Sequence, residues 1–208
     1  MVVGITGGIA CGKSRVGKIF ERMGAKIIEA DEIGWEILED EEIKREVLEV
    51  FGREFLGVEE KIDRKRLGDF LFDSKERLQR YNQITHPPLL KRLKERIERA
   101  TGAKVVAVVA TLIAEWRIEE WFDSLICITS PTEKQMERLL QKGMTQEEAE
   151  KRISAQLPQS QRVKSAEFVI TNDGSLQELD EKSRRIFEVL RKRVIEEANP
   201  KSQVPNPK

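Results

Sequence analysis

The string GGIACGKS, Gly7 to Ser14, follows the apolar run Val2–Thr6 and precedes a helical pattern at Ser14–Met23. Gly7-x-x-x-x-Gly12-Lys13-Ser14 matches the phosphate-loop pattern G-x-x-x-x-G-K-[ST]. No other feature constrains the fold as much. Such a loop works only where a strand delivers it and a helix leaves it. Glycines let successive backbone N–H groups curl around an anion, and the helix N-terminus adds partial positive charge. The expected nucleotide-binding residues are therefore Gly8, Ile9, Ala10, Cys11, Gly12, Lys13, Ser14 and Arg15. Lys13 is expected at the β and γ phosphates of a nucleoside triphosphate. The Ser14 hydroxyl is expected to help hold Mg²⁺ in a shell that is otherwise phosphate and water.

Short runs rich in Val and Ile recur at Val2–Thr6, Lys26–Glu29, Lys104–Ala110, Ser124–Thr129 and Phe168–Thr171. The longer ones do not alternate with polar residues, which is how strands of a parallel sheet covered on both faces read. Helical patterns between them make the class α/β, a three-layer P-loop arrangement with five parallel strands. From Asp31 to Gly102 there is no strand pattern. Helices are expected at Ile33–Leu38, Ile43–Phe51, Arg64–Phe72, Lys75–Ile84 and Pro87–Ala100, forming an insertion over residues 31–103 that hangs off the sheet. Two more, Thr132–Leu140 and Thr145–Gln156, turn at Gly143; residues 141–164 are read as a helical lid. The nucleotide-binding core is then 1–30, 104–140 and 165–198. Residues 199–208, with three prolines and no periodicity, are expected to be disordered.

Composition excludes more than it identifies. Lys+Arg and Asp+Glu are 37 each in 208 residues, so the formal net charge is zero and no basic excess suggests a nucleic-acid partner. No apolar stretch approaches the ~20 residues that span a bilayer. MVVGITGG reads as a strand, without a basic leader before it. Cys11 and Cys127 suit reduced thiols. A cytoplasmic protein is expected, a monomer or weak homo-oligomer with no membrane partner. Cys11, beside Lys13 and a helix N-terminus, is expected to favour its thiolate.

Several side chains could receive or steer a phosphoryl group. Asp31 ends the second apolar run, expected on a strand end neighbouring the loop. It either accepts a proton from an attacking hydroxyl or caps the next helix. Asp31-Glu32-Ile33-Gly34 also fits the D-x-x-G of GTPase switches, but no N-K-x-D string accompanies it. His86, in Thr85-His86-Pro87-Pro88, either touches substrate or marks a helix start. Glu115, after the third run, either organises metal or substrate or is a first-turn acid. Arg138, with Gln135, Lys142 and Arg152 nearby in sequence, either meets a transferring phosphoryl or lies on a solvated helix face.

Taken in order, GITGGIACGKS, IIEADEIGWEIL, IDRKRLGDFLF, Thr85-His86-Pro87, ATLIAEW, Gln135-x-x-Arg138, Arg152-x-x-x-Gln156 and AEFVITNDGS resemble the dephospho-coenzyme A kinase family from Val3 to about Ile186. The resemblance implies ATP-dependent, Mg²⁺-assisted phosphorylation of the ribose 3′-hydroxyl of dephospho-coenzyme A. It implies Asp31 as general base, Lys13 on the phosphates and Arg138 as a lid cation. Asn172 and Gly174 then lie near adenine, and Asp31, Arg64, His86 and Glu115 on the coenzyme side. The chain departs from the family pattern at Glu29 and Glu167, where aspartate is usual. It also departs at Ala110 and Thr111, where a proline is usual, and at Lys142, where a second lid arginine is usual. Lysine keeps the charge but lacks the planar fork of arginine, so the charge-bearing role is expected to rest on Arg138 alone, or on Arg152 or Arg162.

Overall fold

The computed structural model describes residues 1–100 and 102–198. The expected disordered tail, 199–208, lies outside the described residues. The chain opens with β1 (Val2–Gly7), α1 (Lys13–Arg22), β2 (Lys26–Glu29), α2 (Ala30–Ile37), α3 (Glu41–Phe51), α4 (Arg64–Phe72) and α5 (Lys75–Arg99). It continues with β3 (Val106–Val109), α6 (Ile113–Trp116), β4 (Ser124–Thr129), α7 (Thr132–Gln141), α8 (Gln146–Ser154), α9 (Gln159–Lys164), β5 (Phe168–Thr171) and α10 (Leu176–Ala198). All strand pairings are parallel, in the order β2-β3-β1-β4-β5. The five expected strands all form.

The absence of alternation in the strands has a direct cause: both faces are buried. Val3, Ile5, Ala107, Val109, Ile126 and Ile128 face one core with Val16, Phe20, Phe187 and Leu190 from α1 and α10. Val106, Val108 and Leu125 face the other, with Ile33 and Ile37 of α2 and Leu89 and Leu93 of α5. A third cluster gathers Leu38, Val47, Leu48, Phe55, Ile62, Leu67 and Leu71. The insertion therefore does not simply hang off the sheet. α2 and the second half of α5 form the covering layer on one face, and only α3, α4 and their connections build a satellite core.

Two expectations about helices fail. Lys75–Ile84 and Pro87–Ala100 are one helix, α5, with Pro87 and Pro88 inside it. Proline removes two helical N–H donors and normally kinks or ends a helix. Here Thr85, Leu89 and Leu93 are buried on both sides of the prolines, and α5 packs on α2, α3 and α4. That packing outweighs the local break, as tertiary contacts commonly do. His86 is accordingly mid-helix, not at a helix start. The lid segment also divides. α8 lies against α4, whereas the unexpected α9 packs on β1 and β4.

Candidate active site

The phosphate loop leaves β1 through backbone that only glycine tolerates. Gly7 has φ 149°, and a Cβ there would lie 2.2 Å from the Ile128 carbonyl oxygen. Gly12 has φ 105°, and its Cβ would lie 2.6 Å from Asn172 Nδ2. Ala10 also adopts the left-handed region, at φ 58°, a strain worth about 1 kcal/mol or more that the surrounding contacts must hold. Among the described residues, the N–H groups of Ala10, Gly12, Lys13 and Ser14 donate to no protein acceptor. Four free amides at a helix N-terminus make an anion site, and they fit the polyphosphate of a nucleotide. Lys13 Nζ donates to the Gly8 carbonyl at 3.0 Å. Burial pulls the Lys13 amine below its usual range, and the field of Asp31 is the main influence opposing this.

Neighbouring elements hold the loop in shape. Asn172, just after β5, donates from Nδ2 to the Cys11 carbonyl at 2.8 Å. Arg138 of α7 donates from Nη1 to the Ala10 carbonyl at 2.9 Å and to Ser130 Oγ at 3.0 Å, and from Nη2 to the Asn172 carbonyl at 3.1 Å. Gln156 accepts from the Ile9 N–H at 2.9 Å. Arg15 turns away, forming two bonds to Asp180 at 2.7 and 3.0 Å. Gly174 is exposed, and a side chain there would run into the Glu178 carboxylate. The expected Cys11 thiolate is contradicted. Cys11 is buried, and burial pushes its thiol up despite the cationic pull of Lys13.

Asp31 does not cap α2; Glu29 holds that position, without a side-chain capping bond. Asp31 is in the first turn of α2 and exposed. It and the loop follow β2 and β1, which are not adjacent: β3 runs between them. At about 4.8 Å per strand spacing, the two strand ends stand about 10 Å apart. Burial, together with the charges of Asp31 and Glu32, raises the Glu29 carboxyl to about 7. Because the folded form then holds a proton that the unfolded chain releases near 4.5, stability falls as pH rises from about 4.5 to 7. Glu29→Gln removes this loss. Its melting temperature should match wild type near pH 4.5 and exceed it above pH 7, by an effect on the order of 1 kcal/mol after solvent screening. A pH-independent difference in a melting series would overturn this reading.

On the far side of β3, Arg162 of α9 is buried with its side chain fully covered. It binds the Thr111 carbonyl, the Leu157 carbonyl and Glu115 Oε1. Glu115 Oε1 also accepts from the Leu157 N–H at 3.2 Å, while its buried Oε2 has no hydrogen-bond partner among the described residues. His86 packs edge-on against Trp116, the residue after Glu115, at 5.5 Å between ring centroids. Burial lowers its imidazole below the usual range. Arg64 is elsewhere, over the Trp35 ring at 5.5 Å and paired with Glu39 at 3.3 Å.

The dephospho-CoA kinase family model matches residues 1–178. The chain belongs to the dephospho-CoA kinase family. It is 36% identical over 191 residues to the dephospho-CoA kinase of Fusobacterium nucleatum, covering 91% of this chain and 98% of that one. With the dephospho-CoA kinase of Aquifex aeolicus it shares 33% over 189 residues, 90% of this chain and 96% of the other. The solved dephospho-CoA kinase from Campylobacter jejuni superposes with a TM-score of 0.68 at 28% identity, covering 92% and 97%.

As a dephospho-CoA kinase, the chain shows where its departures lead. Lys142 is exposed at the end of α7 and makes no ion pair among the described residues. Arg152 is engaged, with Asp69 at 2.9 Å and the Phe72 ring at 4.5 Å, so α8 is clasped to α4. Glu167 accepts from Ser124 at 2.7 Å and pairs with Arg193 at 2.5 Å, far from the loop. The sequence offered Arg162 only as an alternative charge-bearing arginine and Gln156 only as the end of Arg152-x-x-x-Gln156; it placed neither Gln156 on the loop amide nor Arg162 on the third-strand turn.

Proposed function

We propose that this chain transfers the γ-phosphoryl group of ATP to the ribose 3′-hydroxyl of dephospho-coenzyme A, giving coenzyme A and ADP. The observation that carries the reading is the pairing of four free loop amides after β1 with a solvent-facing carboxylate, Asp31, after β2. The gap of about 10 Å between those strand ends leaves room for a phosphate on one side and an acceptor hydroxyl on the other. ATP supplies the phosphoryl group, and Mg²⁺, when bound, neutralises charge on its oxygens.

The residues divide the work. The loop amides and Lys13 hold the phosphates, and Ser14 offers a hydroxyl to the metal. Asp31 orients the 3′-hydroxyl and takes its proton as the new P–O bond forms. Arg138 fixes the loop through the Ala10 carbonyl and stands ready on α7 as a cation for the phosphates. α8, clasped to α4, covers the cleft against water, the competing acceptor. His86 and Glu115 line the coenzyme side.

The test is ADP release by the purified chain with Mg·ATP, with and without dephospho-coenzyme A, with the product weighed by mass spectrometry. Coenzyme A formed only when both substrates are present is the expected result. ADP without coenzyme A points to a different small-molecule acceptor, and tight ATP binding without any turnover to a nucleotide-binding regulator.

A further inference from the structure

Among the described residues, Trp35 is the one large aromatic left exposed beside Asp31 on α2. Its residue surface is 53% exposed, although α2 buries Ala30, Ile33 and Ile37 against the sheet. Asp31 and Trp35 are four residues apart on the helix and so share a face, about 6 Å apart along the axis. Helical side chains lean back toward the N-terminus, which carries the indole toward the turn holding Asp31. The Arg64 guanidinium lies 5.5 Å from the ring centroid, and its Nη2 also donates to the Trp35 carbonyl at 3.4 Å and to Glu39 at 3.3 Å. One side of the ring is thus backed by a cation while much of the residue stays exposed.

From this placement we infer that Trp35 is a stacking platform for the adenine base of the acceptor, and so a specificity residue for dephospho-coenzyme A. The inference rests on the proposed function and deepens it. If Asp31 meets the ribose 3′-hydroxyl, the base on the same ribose is one sugar away, which is the span from Asp31 to the indole. A π-face is a reader for any planar base, and an exposed indole backed by arginine binds such a face well. Hydrogen bonds elsewhere would then select adenine among bases.

The experiment compares wild type, Trp35→Leu and Trp35→Phe in steady-state kinetics with Mg·ATP and dephospho-coenzyme A. Trp35→Leu should raise KM for dephospho-coenzyme A about tenfold, a loss in keeping with one base–aromatic stack. The kcat and the KM for ATP should stay within about twofold, and Trp35→Phe should recover most of the affinity. A second readout is indole emission with the phosphate loop saturated by a non-hydrolysable Mg·ATP analogue. Adenosine 5′-monophosphate should quench wild type and not Trp35→Phe, whereas 4′-phosphopantetheine should quench neither. An unchanged KM in Trp35→Leu, with wild type making coenzyme A, overturns the platform alone. A wild type that makes no coenzyme A overturns the proposed function, and the platform with it.

Discussion

Asp31→Asn lowers kcat by about 10²–10⁴-fold, the usual worth of a positioned general base, while KM for both substrates changes little. The two side chains have the same shape, but an amide cannot accept the hydroxyl proton. The variant should fold normally, because Asp31 is exposed and the capping position of α2 belongs to Glu29. Its loss from the first helical turn costs only about 0.3–1 kcal/mol of dipole interaction. A second consequence separates chemistry from mere charge. Asp31 is the main influence holding the proton on Lys13 against burial. The variant should therefore lose ATP affinity at a lower pH than wild type, as Lys13 deprotonates sooner. Single-turnover rates at saturating substrates check the first, and ATP titrations across pH check the second. A turnover number equal to wild type would assign the proton to solvent and remove Asp31 from the chemistry.

How much of this site could be read from residues alone follows from the range of the interactions. β1, the loop and α1 are contiguous, so their pattern is local and complete in GITGGIACGKS. The strands showed as unbroken Val and Ile runs because each is covered twice, and α4 appeared at its observed bounds. What escaped was set by contacts between distant segments. Gln156 meets Ile9 across 147 residues, and Arg162 meets Glu115 across 47; no periodicity encodes either. The Thr85–Pro88 string read as a break because proline's local effect is legible and the packing that overrides it is not. Cys11 was misjudged for a similar reason. Its cationic neighbours are visible in the string, but its burial under the sheet and α10 is not.

Arg162 carries the second large expectation. Arg162→Met should lower the melting temperature by roughly 10 °C, from about 3–5 kcal/mol of lost stability at about 2–4 °C per kcal/mol for a chain this size. The cause is less the lost pair than what stays behind. Glu115, its side chain 20% exposed, already has one buried oxygen without a partner among the described residues, and removal of the guanidinium strips the other of its cation. A largely buried charge without a counter-charge is among the costlier single defects. Two further variants separate this account from simple cavity formation. Arg162→Lys keeps the charge but cannot serve the Thr111 carbonyl, the Leu157 carbonyl and Glu115 together, so it should fall between. Adding Glu115→Gln to Arg162→Met should restore at least half of the loss, since the stranded charge is gone. Additive melting shifts in the double variant would instead mean that the two groups act independently. The kinetic signature follows from position. Arg162 holds Leu157, the residue after Gln156, which in turn holds the Ile9 N–H of the phosphate loop. Below its melting transition, Arg162→Met should therefore raise KM for ATP more than KM for the acceptor.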